Sequence, residues 1–477
     1  MDRSHRLVAL LLGFAFVLGF ARAVALIGHD PVYAIANSFD QARYTGCFDL
    51  FPDRPVPIRP DENSPNAPFE DYRYQANPVK LCYLSTELLP QALANGVYRV
   101  EAMATGTRTH SVRWMGTLRL VALTALAGWF CRAWWRRGNR FAASANAALF
   151  ALVLTDPANT MYFNTFYAEA TALTVAYALV NGVLLCWNQA PDRRRVLWLA
   201  LGALLLSLSK IQHLVLPLAL AVGVIAFGAW HRRTLPWQGA ALLAGAILGA
   251  LVQCGQLGRD DPMMRSIRSF NRAHVVFTGL LPAVRDPAPV IARLGLPAHC
   301  IAYVGKMAWQ MPGMPEDVCP GIGQVGRLDV IGELAREPAA AIRYALNGLQ
   351  ALDPWLPKNL GHVEGAILGK LPAHHLTLNG VLRDAAPLRY LVFLLPFAGV
   401  VLALRRGDGM GLLAVLTATL MAATFTITLL GDGTADVAKQ GHLIFNAALA
   451  FALVVSAGLV TATVRREGPH PMAPVPR

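Results

Sequence analysis

The sequence predicts an all-α membrane protein that crosses the bilayer about ten times and has two large loops on its outer side. Two observations support this fold class. Of 477 residues, 55% are hydrophobic and only 15% are charged, whereas an ordinary soluble domain has about 25% charged residues. The apolar residues also form repeated runs, several of them near the roughly 20 residues that a helix needs to cross the hydrocarbon.

Ten apolar runs are candidates for membrane-spanning helices. In chain order they are residues 7–27, 115–135, 141–155, 168–187, 196–209, 213–230, 238–257, 388–404, 410–430 and 443–464. The third and fifth runs are short for a helix that crosses the whole bilayer. Polar residues 209–213 interrupt the long apolar stretch 196–230, and we interpret them as a turn between two spans.

Lys and Arg residues in the short connections set the orientation, because such residues resist translocation and stay in the cytoplasm. Starting from a cytoplasmic N-terminus, every second connection is basic. The basic positions are Arg3, Arg6, Arg132, Arg136, Arg137, Arg140, Arg193, Arg194, Arg195, Arg232, Arg233, Arg405, Arg406, Arg465 and Arg466. One continuous helix through residues 196–230 would place three later Arg pairs outside. We therefore predict ten spans, both termini in the cytoplasm and a location in a bacterial inner membrane.

The formal net charge of +13 follows from this topology, because nearly all of the excess lies in the predicted cytoplasmic tips. A chain this apolar is also unsuited to a dissolved nucleic-acid binder. We predict that the protein has no nucleic-acid partner and that the lipid bilayer is its environment.

The first span has a second interpretation. Its basic tip, its apolar run and the tripeptide Ala21-Arg22-Ala23 resemble a secretory signal with a small-residue cleavage site. The apolar run is longer than the roughly 7 to 15 residues of such a signal. A retained membrane anchor is therefore favoured over a cleaved signal.

The predicted topology divides the chain into six segments. They are the first span (1–27), a first outer loop (28–114), spans two to seven (115–257), a second outer loop (258–387), spans eight to ten (388–464) and a cytoplasmic tail (465–477). Within the first outer loop, residues 85–104 have apolar positions at helical spacing, which suits a helix lying along the membrane surface.

Two cysteines lie in each predicted outer loop, Cys47 and Cys82 in the first and Cys300 and Cys319 in the second. An oxidising periplasm would allow one disulfide within each loop. Spacing alone does not distinguish disulfides from buried free thiols, so both alternatives stay open.

Polar residues gather at the outer ends of the predicted spans, where ionisable groups are costly unless they are paired or used. Five groups lie on this side: residues 37–43; residues 156–169; Lys210, Gln212 and His213; Asp260, Asp261, Arg265 and Arg268; and residues 431–442. Because all five share one face of the membrane, we predict that they form one site.

Four of the five groups also have a purely structural interpretation. Asp40 and Arg43 have the spacing of a surface ion pair on a helix. Glu169 would complement a helix dipole, and Lys210 would extend its ammonium towards the interface. Residues 431–433 would form a turn with a helix cap. The functional prediction therefore rests on the groups lying together.

Carboxylates beside Lys, Arg and His at a membrane surface suit a substrate with an anionic phosphate and a lipid tail. A carboxylate can take the proton of an attacking sugar hydroxyl. Cations such as Lys439 and His442 can neutralise charge on a phosphate leaving group. This combination predicts transfer of a sugar from a polyprenyl-phosphate-linked donor.

An Asp soon after the first span resembles the integral-membrane glycosyltransferases of the C superfamily, in which such an Asp usually acts as base on the acceptor hydroxyl. More specifically, residues 37–43, 162–169 and 431–446 resemble the Wsf-type hexose transferases of bacterial surface-glycan biosynthesis. The late motif of that family reads approximately GDGxADLxKHLFLFN. Residues 270–281, followed by 295–297, also look like its second outer loop.

The resemblance extends over about residues 30–450, with two departures from the family pattern. Two residues separate Lys439 from His442 here, whereas Lys and His are adjacent in the family motif. The early family motif is Asn-Gly-Asp-Phe-x-Arg, and here Ser38 and Phe39 precede Asp40. The spacing of three between Asp40 and Arg43 is kept.

We predict a hexosyltransferase in which Asp40 is the catalytic base. The predicted substrate-binding residues are Arg43, Asn164, Tyr167, Glu169, Lys210, Asp432, Asp436, Lys439 and His442. The expected substrates are a polyprenyl-phosphate sugar donor and a glycan or lipid-linked acceptor. Carboxylates of this kind also suit Mg²⁺ or Mn²⁺, but the sequence defines no set of metal ligands.

Two other functions fit part of the pattern. A lipid-linked glycan flippase, polymerase or other transporter would place ionisable residues near the midplane, often on helices related by repeats. Here the polar groups lie at one end and no repeat is visible, which favours an enzyme. A non-catalytic assembly subunit would have no outer pocket that collects Asp40, Glu169 and Asp436.

Overall fold

The computed structural model describes residues 3–30, 32–35, 38–53, 70–76, 82–231, 236–354, 361–363, 371, 375–405 and 407–466. Asn37 of the early motif, the cytoplasmic residues Arg232, Arg233 and Arg406, and residues 467–477 of the predicted tail lie outside this set.

The described part of the chain is mostly helical. Its α-helices are α1 (Arg3–Ile27), α2 (Ser38–Thr45), α3 (Leu88–Thr105), α4 (Arg113–Arg136), α5 (Arg140–Leu149), α6 (Pro157–Thr160), α7 (Ala168–Cys186), α8 (Arg193–Ser209), α9 (Leu216–Trp230), α10 (Trp237–Leu257), α11 (Pro262–Ala273), α12 (Leu281–Ala283), α13 (Pro287–Arg293), α14 (Pro315–Val318), α15 (Arg327–Arg336), α16 (Pro338–Ala351), α17 (Leu378–Asp384), α18 (Ala386–Ala403), α19 (Gly409–Asp432), α20 (Val437–Gln440) and α21 (His442–Arg466).

Eight helical segments among the described residues are long and apolar enough to cross a membrane: α1, α4, α7, α9 with the 3₁₀ turn before it, α10, α18, α19 and the first part of α21. The two short predicted spans are helical as well. The third is α5, which continues through the π-helix Phe150–Leu154, and the fifth is α8, with 17 residues. The predicted polytopic helical fold is confirmed.

The predicted break between the fifth and sixth spans is also present. Helix α8 ends at Ser209, Lys210 has an extended backbone (φ −154°, ψ 153°), and the 3₁₀ helix Ile211–Val215 leads into α9. The Ser209 hydroxyl lies 2.8 Å from Nδ1 of His213 across the break. This turn brings Lys210 to the end of the helices that the sequence predicts to lie outside, and the word outer refers to that predicted side below.

Glycines allow α10 to pack closely along α8. A Cβ atom at Gly245 would lie 2.0 Å from the carbonyl oxygen of Ala200, and one at Gly249 would lie 2.3 Å from the Ser207 hydroxyl. Small residues at helix contacts are typical of membrane proteins, where close van der Waals packing drives helix association.

The two outer loops carry short strands. They are β1 (Tyr33–Ile35), β2 (Leu50–Pro52), β3 (Asp71–Tyr74), β4 (His110–Ser111) and β5 (Gly361–Val363). Strands β2, β3 and β4 form an antiparallel sheet within the first loop. Strand β1 of the first loop pairs antiparallel with β5 of the second, so the backbone joins the two loops directly.

Each outer loop contains one disulfide. Cys47 pairs with Cys82 in the first loop, and Cys300 pairs with Cys319 in the second. Among the described residues, Cys131, Cys186 and Cys254 are free. The structure thus selects the disulfide alternative for both loops, which fits an oxidising outer compartment.

Helix α3 has polar residues on its buried face and apolar residues on its exposed face. Gln91 and Asn95 are buried, and Asn95 accepts a hydrogen bond of 2.8 Å from the Tyr74 hydroxyl. Leu93 and Met103 are exposed, Met103 to 80%. The exposed apolar side chains of such a helix are more stable in contact with lipid than with water. The arrangement agrees with the expected surface position of residues 85–104.

We predict that the exposed face of α3 contacts lipid in a reconstituted membrane. A nitroxide attached at Met103→Cys, in a variant whose three free cysteines are Ser, should be more accessible to oxygen than to a water-soluble nickel chelate in electron paramagnetic resonance. The same label at the exposed Arg108, beyond the end of α3, should show the opposite preference. Equal chelate accessibility at both positions would contradict this placement.

Candidate active site

Lys439 lies at the centre of a group of charged side chains at the outer ends of the helices. Its ammonium forms an ion pair with Asp40 of α2 and lies 3.5 Å from a carboxylate oxygen of Asp436. It also lies 5.0 Å from the centre of the Tyr167 ring. The Lys439 side chain is only 4% exposed, so these contacts replace most of its hydration.

Asp40 is held by two cations. Arg43, one helical turn later on α2, donates to Oδ1, and Lys439 donates to Oδ2. Burial acts to raise the pKa of Asp40, but the charges of Lys439 and Arg43 outweigh that effect and hold the pKa well below its usual range. Asp40 is therefore ionised and fully engaged as the partner of two cations.

Asp436 has a different electrostatic environment. Burial raises the pKa of its carboxyl to about 7; the Lys439 ammonium opposes this rise, whereas the Asp432 and Asp40 carboxylates add to it. Its side chain is 11% exposed. Asp436 therefore titrates near neutral pH, although it lies beside the same Lys439 ammonium that helps to keep Asp40 ionised.

A second ion pair lies beside the first. The Lys210 ammonium donates to Glu169 over 2.7 Å and to the Gln440 side chain over 2.6 Å. His442 links the two pairs, because its Nε2 lies 3.1 Å from the Glu169 carbonyl oxygen and its Nδ1 lies 3.2 Å from the Lys439 carbonyl oxygen. The residues Asp40, Arg43, Glu169, Lys210, Asp436 and Lys439 are called the outer charge cluster below.

The outer charge cluster brings together residues from four of the five groups noted in the sequence. The remaining group lies in surface ion pairs instead: Asp260, 77% exposed, pairs with Arg265 and Arg268 over 3.3 Å, and Asp261 pairs with Arg259 over 2.7 Å. The prediction that all five groups form one site is therefore wrong for this group, which pairs at the surface instead.

Asn164 also has a structural contact. Its side-chain amide donates to the Ile27 carbonyl at the end of α1 over 3.1 Å, and the residue is buried. The structure shows Asn164 in contact with the first span. Its role in substrate binding stays a prediction.

A buried ion pair that the sequence analysis missed supports Tyr167 and Glu169. Arg119 of α4 pairs with Glu87, just before α3, and both side chains are almost fully buried. The guanidinium also donates to four backbone carbonyls, those of Tyr162, Phe163, Thr165 and Tyr167. The signal in the sequence was an Arg inside a predicted span, which is costly in lipid unless it is paired.

The second outer loop reaches the site through His274, which sequence analysis also missed. Nδ1 of His274 lies 2.6 Å from Asp432 at the end of α19. The next residue, Gly433, has φ +58°, and a Cβ there would lie 2.4 Å from the His274 carbonyl oxygen. Thr434 completes the contact through two hydrogen bonds to Thr278, of 3.0 and 2.9 Å. Only glycine fits at position 433.

A cavity of about 430 Å³ lies between α5, α7, α19 and α21. Leu443 and Asn446, which follow His442 on α21, line one part of it, and Asp408 at the other end of α19 lines another. Most of its lining is apolar. The Asn146 side chain in its wall accepts a hydrogen bond of 2.9 Å from Tyr177. The cavity thus suits an apolar chain rather than a polar solute.

The described residues contain no group of three or more His, Cys, Asp or Glu side chains arranged to hold a metal ion. We therefore assign no metal ligands among the described residues.

Residues 99–318, from within α3 to the end of α14, match the family described as the YfdI N-terminal transmembrane domain. This description agrees with the multi-pass membrane fold. The matching family is not the Wsf-type family that the motifs resemble. No curated protein matches the chain.

Among solved structures, the chain is similar to the archaeal oligosaccharyltransferase AglB from Archaeoglobus fulgidus, in complex with an inhibitory peptide and a dolichol-phosphate. The sequence identity is 15% and the TM-score is 0.40. The match covers 96% of this chain and 52% of AglB, so the chain spans about half the length of AglB.

We predict that Lys439→Met destabilises the protein, because it leaves buried carboxylates without their shared cation. Removing one partner of a buried ion pair typically costs about 3 to 5 kcal/mol. Thermal unfolding in detergent should show a clearly lower midpoint than for wild type. The control is Lys306→Met, since Lys306 is exposed in the second outer loop. Equal midpoints for the two variants would contradict a shared buried charge.

Proposed function

We propose that this protein is an integral-membrane glycosyltransferase of the C-superfamily type. It transfers a hexose from a polyprenyl-phosphate-linked donor to a cell-surface glycan or a lipid-linked acceptor. The observation that supports this best is the outer charge cluster, in which Lys439 joins Asp40 and Asp436. The Wsf-type resemblance of residues 431–446 supports the choice of a hexose.

The charges of the cluster suit both halves of such a reaction. The acceptor oxygen bonds to the anomeric carbon, the bond from that carbon to the phosphate oxygen breaks, and polyprenyl phosphate leaves with the bonding electrons. Arg43 and Lys439 face the phosphate and stabilise its developing charge. One carboxylate of the cluster takes the proton that the acceptor hydroxyl loses.

Apart from Asn164, the remaining predicted residues lie around this centre. Lys210 and His442 lie on the phosphate side, and Glu169 holds Lys210 in place. Tyr167 packs against the Lys439 ammonium. Asp432, paired with His274, holds the acceptor together with Asp436.

The apolar cavity supports a lipid-linked donor rather than a soluble one. Its lining begins at Leu443, the residue directly after His442, and extends to Asp408 at the other end of α19, and it includes none of the six cluster residues. An isoprenoid chain in this cavity would therefore lie next to the cluster only at its Leu443 end. Its size, about 430 Å³, lies within the range of small-molecule sites.

We place the site on the periplasmic side of a bacterial inner membrane, with both termini in the cytoplasm. The alternation of basic connections supports this orientation, and so do the two disulfides in the loops assigned to the outer side. A transporter or flippase is the second candidate, but transporter charges usually lie near the bilayer midplane, whereas those of the cluster lie at one end of the helices.

Mass spectrometry of surface glycans and lipid-linked intermediates tests the proposal. A deletion strain should lack a hexose on an otherwise intact glycan, and the wild-type gene should restore it. Asp40→Asn should not restore it, because the loss of the Asp40 charge releases Lys439 and Arg43 from their positions. Immunoblots of the membrane fraction should show equal amounts of both proteins.

The matched control is Asp49→Asn. Asp49 is an exposed carboxylate in the same loop, and asparagine tolerates its positive φ of 55°. This variant should restore the hexose fully. Unchanged glycans in the deletion strain would reject the glycosyltransferase proposal, and full restoration by Asp40→Asn would remove Asp40 from the mechanism.

A further inference from the structure

Two carboxylates flank Lys439, and they are engaged to different extents. Asp40 accepts from a different cation at each oxygen, Arg43 at Oδ1 and Lys439 at Oδ2. Asp436 lies 3.5 Å from the same ammonium, beyond a close hydrogen bond. To accept a proton from a substrate, Asp40 would have to give up an ion-pair contact with Arg43 or Lys439. Asp436 has only the longer contact with Lys439, so its carboxylate is freer to accept a proton.

The charged and titratable groups around Asp436 come from several segments. They are Lys439 on α20, Asp432 at the end of α19, Asp40 on α2, Lys210 after α8, and Tyr167 before α7. Asp432 is itself paired with His274 of the second outer loop. Burial raises the pKa of Asp436 to about 7, although Lys439 opposes the rise, whereas the pKa of Asp40 stays well below its usual range. Two nearby carboxyls with such different acidities are typical of divided acid–base roles.

Asp436 lies in the short connection between α19 and α20, after the turn at Gly433. Its side chain is 11% exposed and that of Asp40 is 17% exposed, so both carboxylates keep some accessible surface and exposure does not separate them. A general base must come within hydrogen-bond distance of the proton that it removes. A hydroxyl at the outer face meets this condition at Asp436 without separating Asp40 from Arg43.

We propose that Asp436 is the catalytic base and that Asp40 is a positioning residue. This inference rests on the proposed glycosyltransferase function and reverses the role that the family resemblance implies for Asp40. The acceptor hydroxyl gives its proton to Asp436 as its oxygen bonds to the anomeric carbon. The bond to phosphate breaks, and the electrons stay on the phosphate oxygen beside Arg43 and Lys439, which Asp40 holds in place.

The first test needs no substrate. Infrared difference spectra of the full-length protein in lipid vesicles, recorded from pH 5 to 9, should contain a carboxyl C=O band that disappears with a midpoint near pH 7. Asp436→Asn should abolish this band, and the exposed control Asp49→Asn should keep it. In Asp40→Asn the midpoint should move to lower pH, because a nearby negative charge is lost and Lys439 turns to Asp436.

The infrared result tests the acidity of Asp436 independently of whether the protein transfers a sugar. A spectrum with no such band, or a band that persists in Asp436→Asn, overturns the inference. Failure of the proposed function appears separately, as unchanged glycans in the deletion strain.

The second test separates the base from the positioning residue once transfer is measured with the purified full-length enzyme. For wild type, kcat/KM should rise with pH through about 7, since the base acts when it is deprotonated. Asp436→Asn should lower kcat by about 10²- to 10⁴-fold and flatten this profile. Asp40→Asn should raise KM for the donor and keep the pH-dependent rise, with its midpoint moved to lower pH as in the infrared spectra. The inference is overturned if Asp40→Asn flattens the profile while Asp436→Asn keeps it.

Discussion

The buried guanidinium of Arg119 is the interaction on which the outer face of the protein depends. It donates to four backbone carbonyls between Tyr162 and Tyr167 and pairs with Glu87. This segment forms no continuous helix, so its carbonyls need other donors, and an unsatisfied buried carbonyl costs about 1 to 3 kcal/mol. Arg119 supplies those donors and so fixes where α7 begins. Tyr167 and Glu169 reach Lys439 and Lys210 from that position.

Charge balance explains how so many ionisable groups are buried together. The outer charge cluster holds three carboxylates and three cations, and each ion pair offsets part of the cost of dehydrating its members. Protonation of one carboxyl, Asp436, changes this balance by one unit. A phosphate entering the site would add negative charge beside Lys439 and Arg43. Such a charge would act on the pKa of Asp436 in the same direction as the Asp432 and Asp40 carboxylates, and the cations Lys439 and Arg43 beside it would oppose that effect.

Sequence patterns predicted the architecture better than the interactions within it. The break at Lys210 followed from the alternation of basic connections, because orientation is a property of the whole chain. The pair of Arg119 and Glu87 was not predicted, since the two residues are far apart in sequence and Arg119 lies in an apolar run. The contact of His274 with Asp432 depends on how the second outer loop folds back. Unequal acidity of two nearby carboxyls likewise depends on neighbours from several segments, which no local motif specifies.

The contact between His274 and Asp432 joins the second outer loop to the proposed site. Gly433 lets the π-helix His274–Leu280 approach the end of α19 closely enough for His274 to pair with Asp432. Asp432 in turn raises the pKa of Asp436, after the larger effects of burial and Lys439. A shift of the loop that changed the His274 contact would therefore alter the charge that Asp436 experiences. Through Asp432, the loop thus contributes to the proton affinity of the carboxyl that we propose as base.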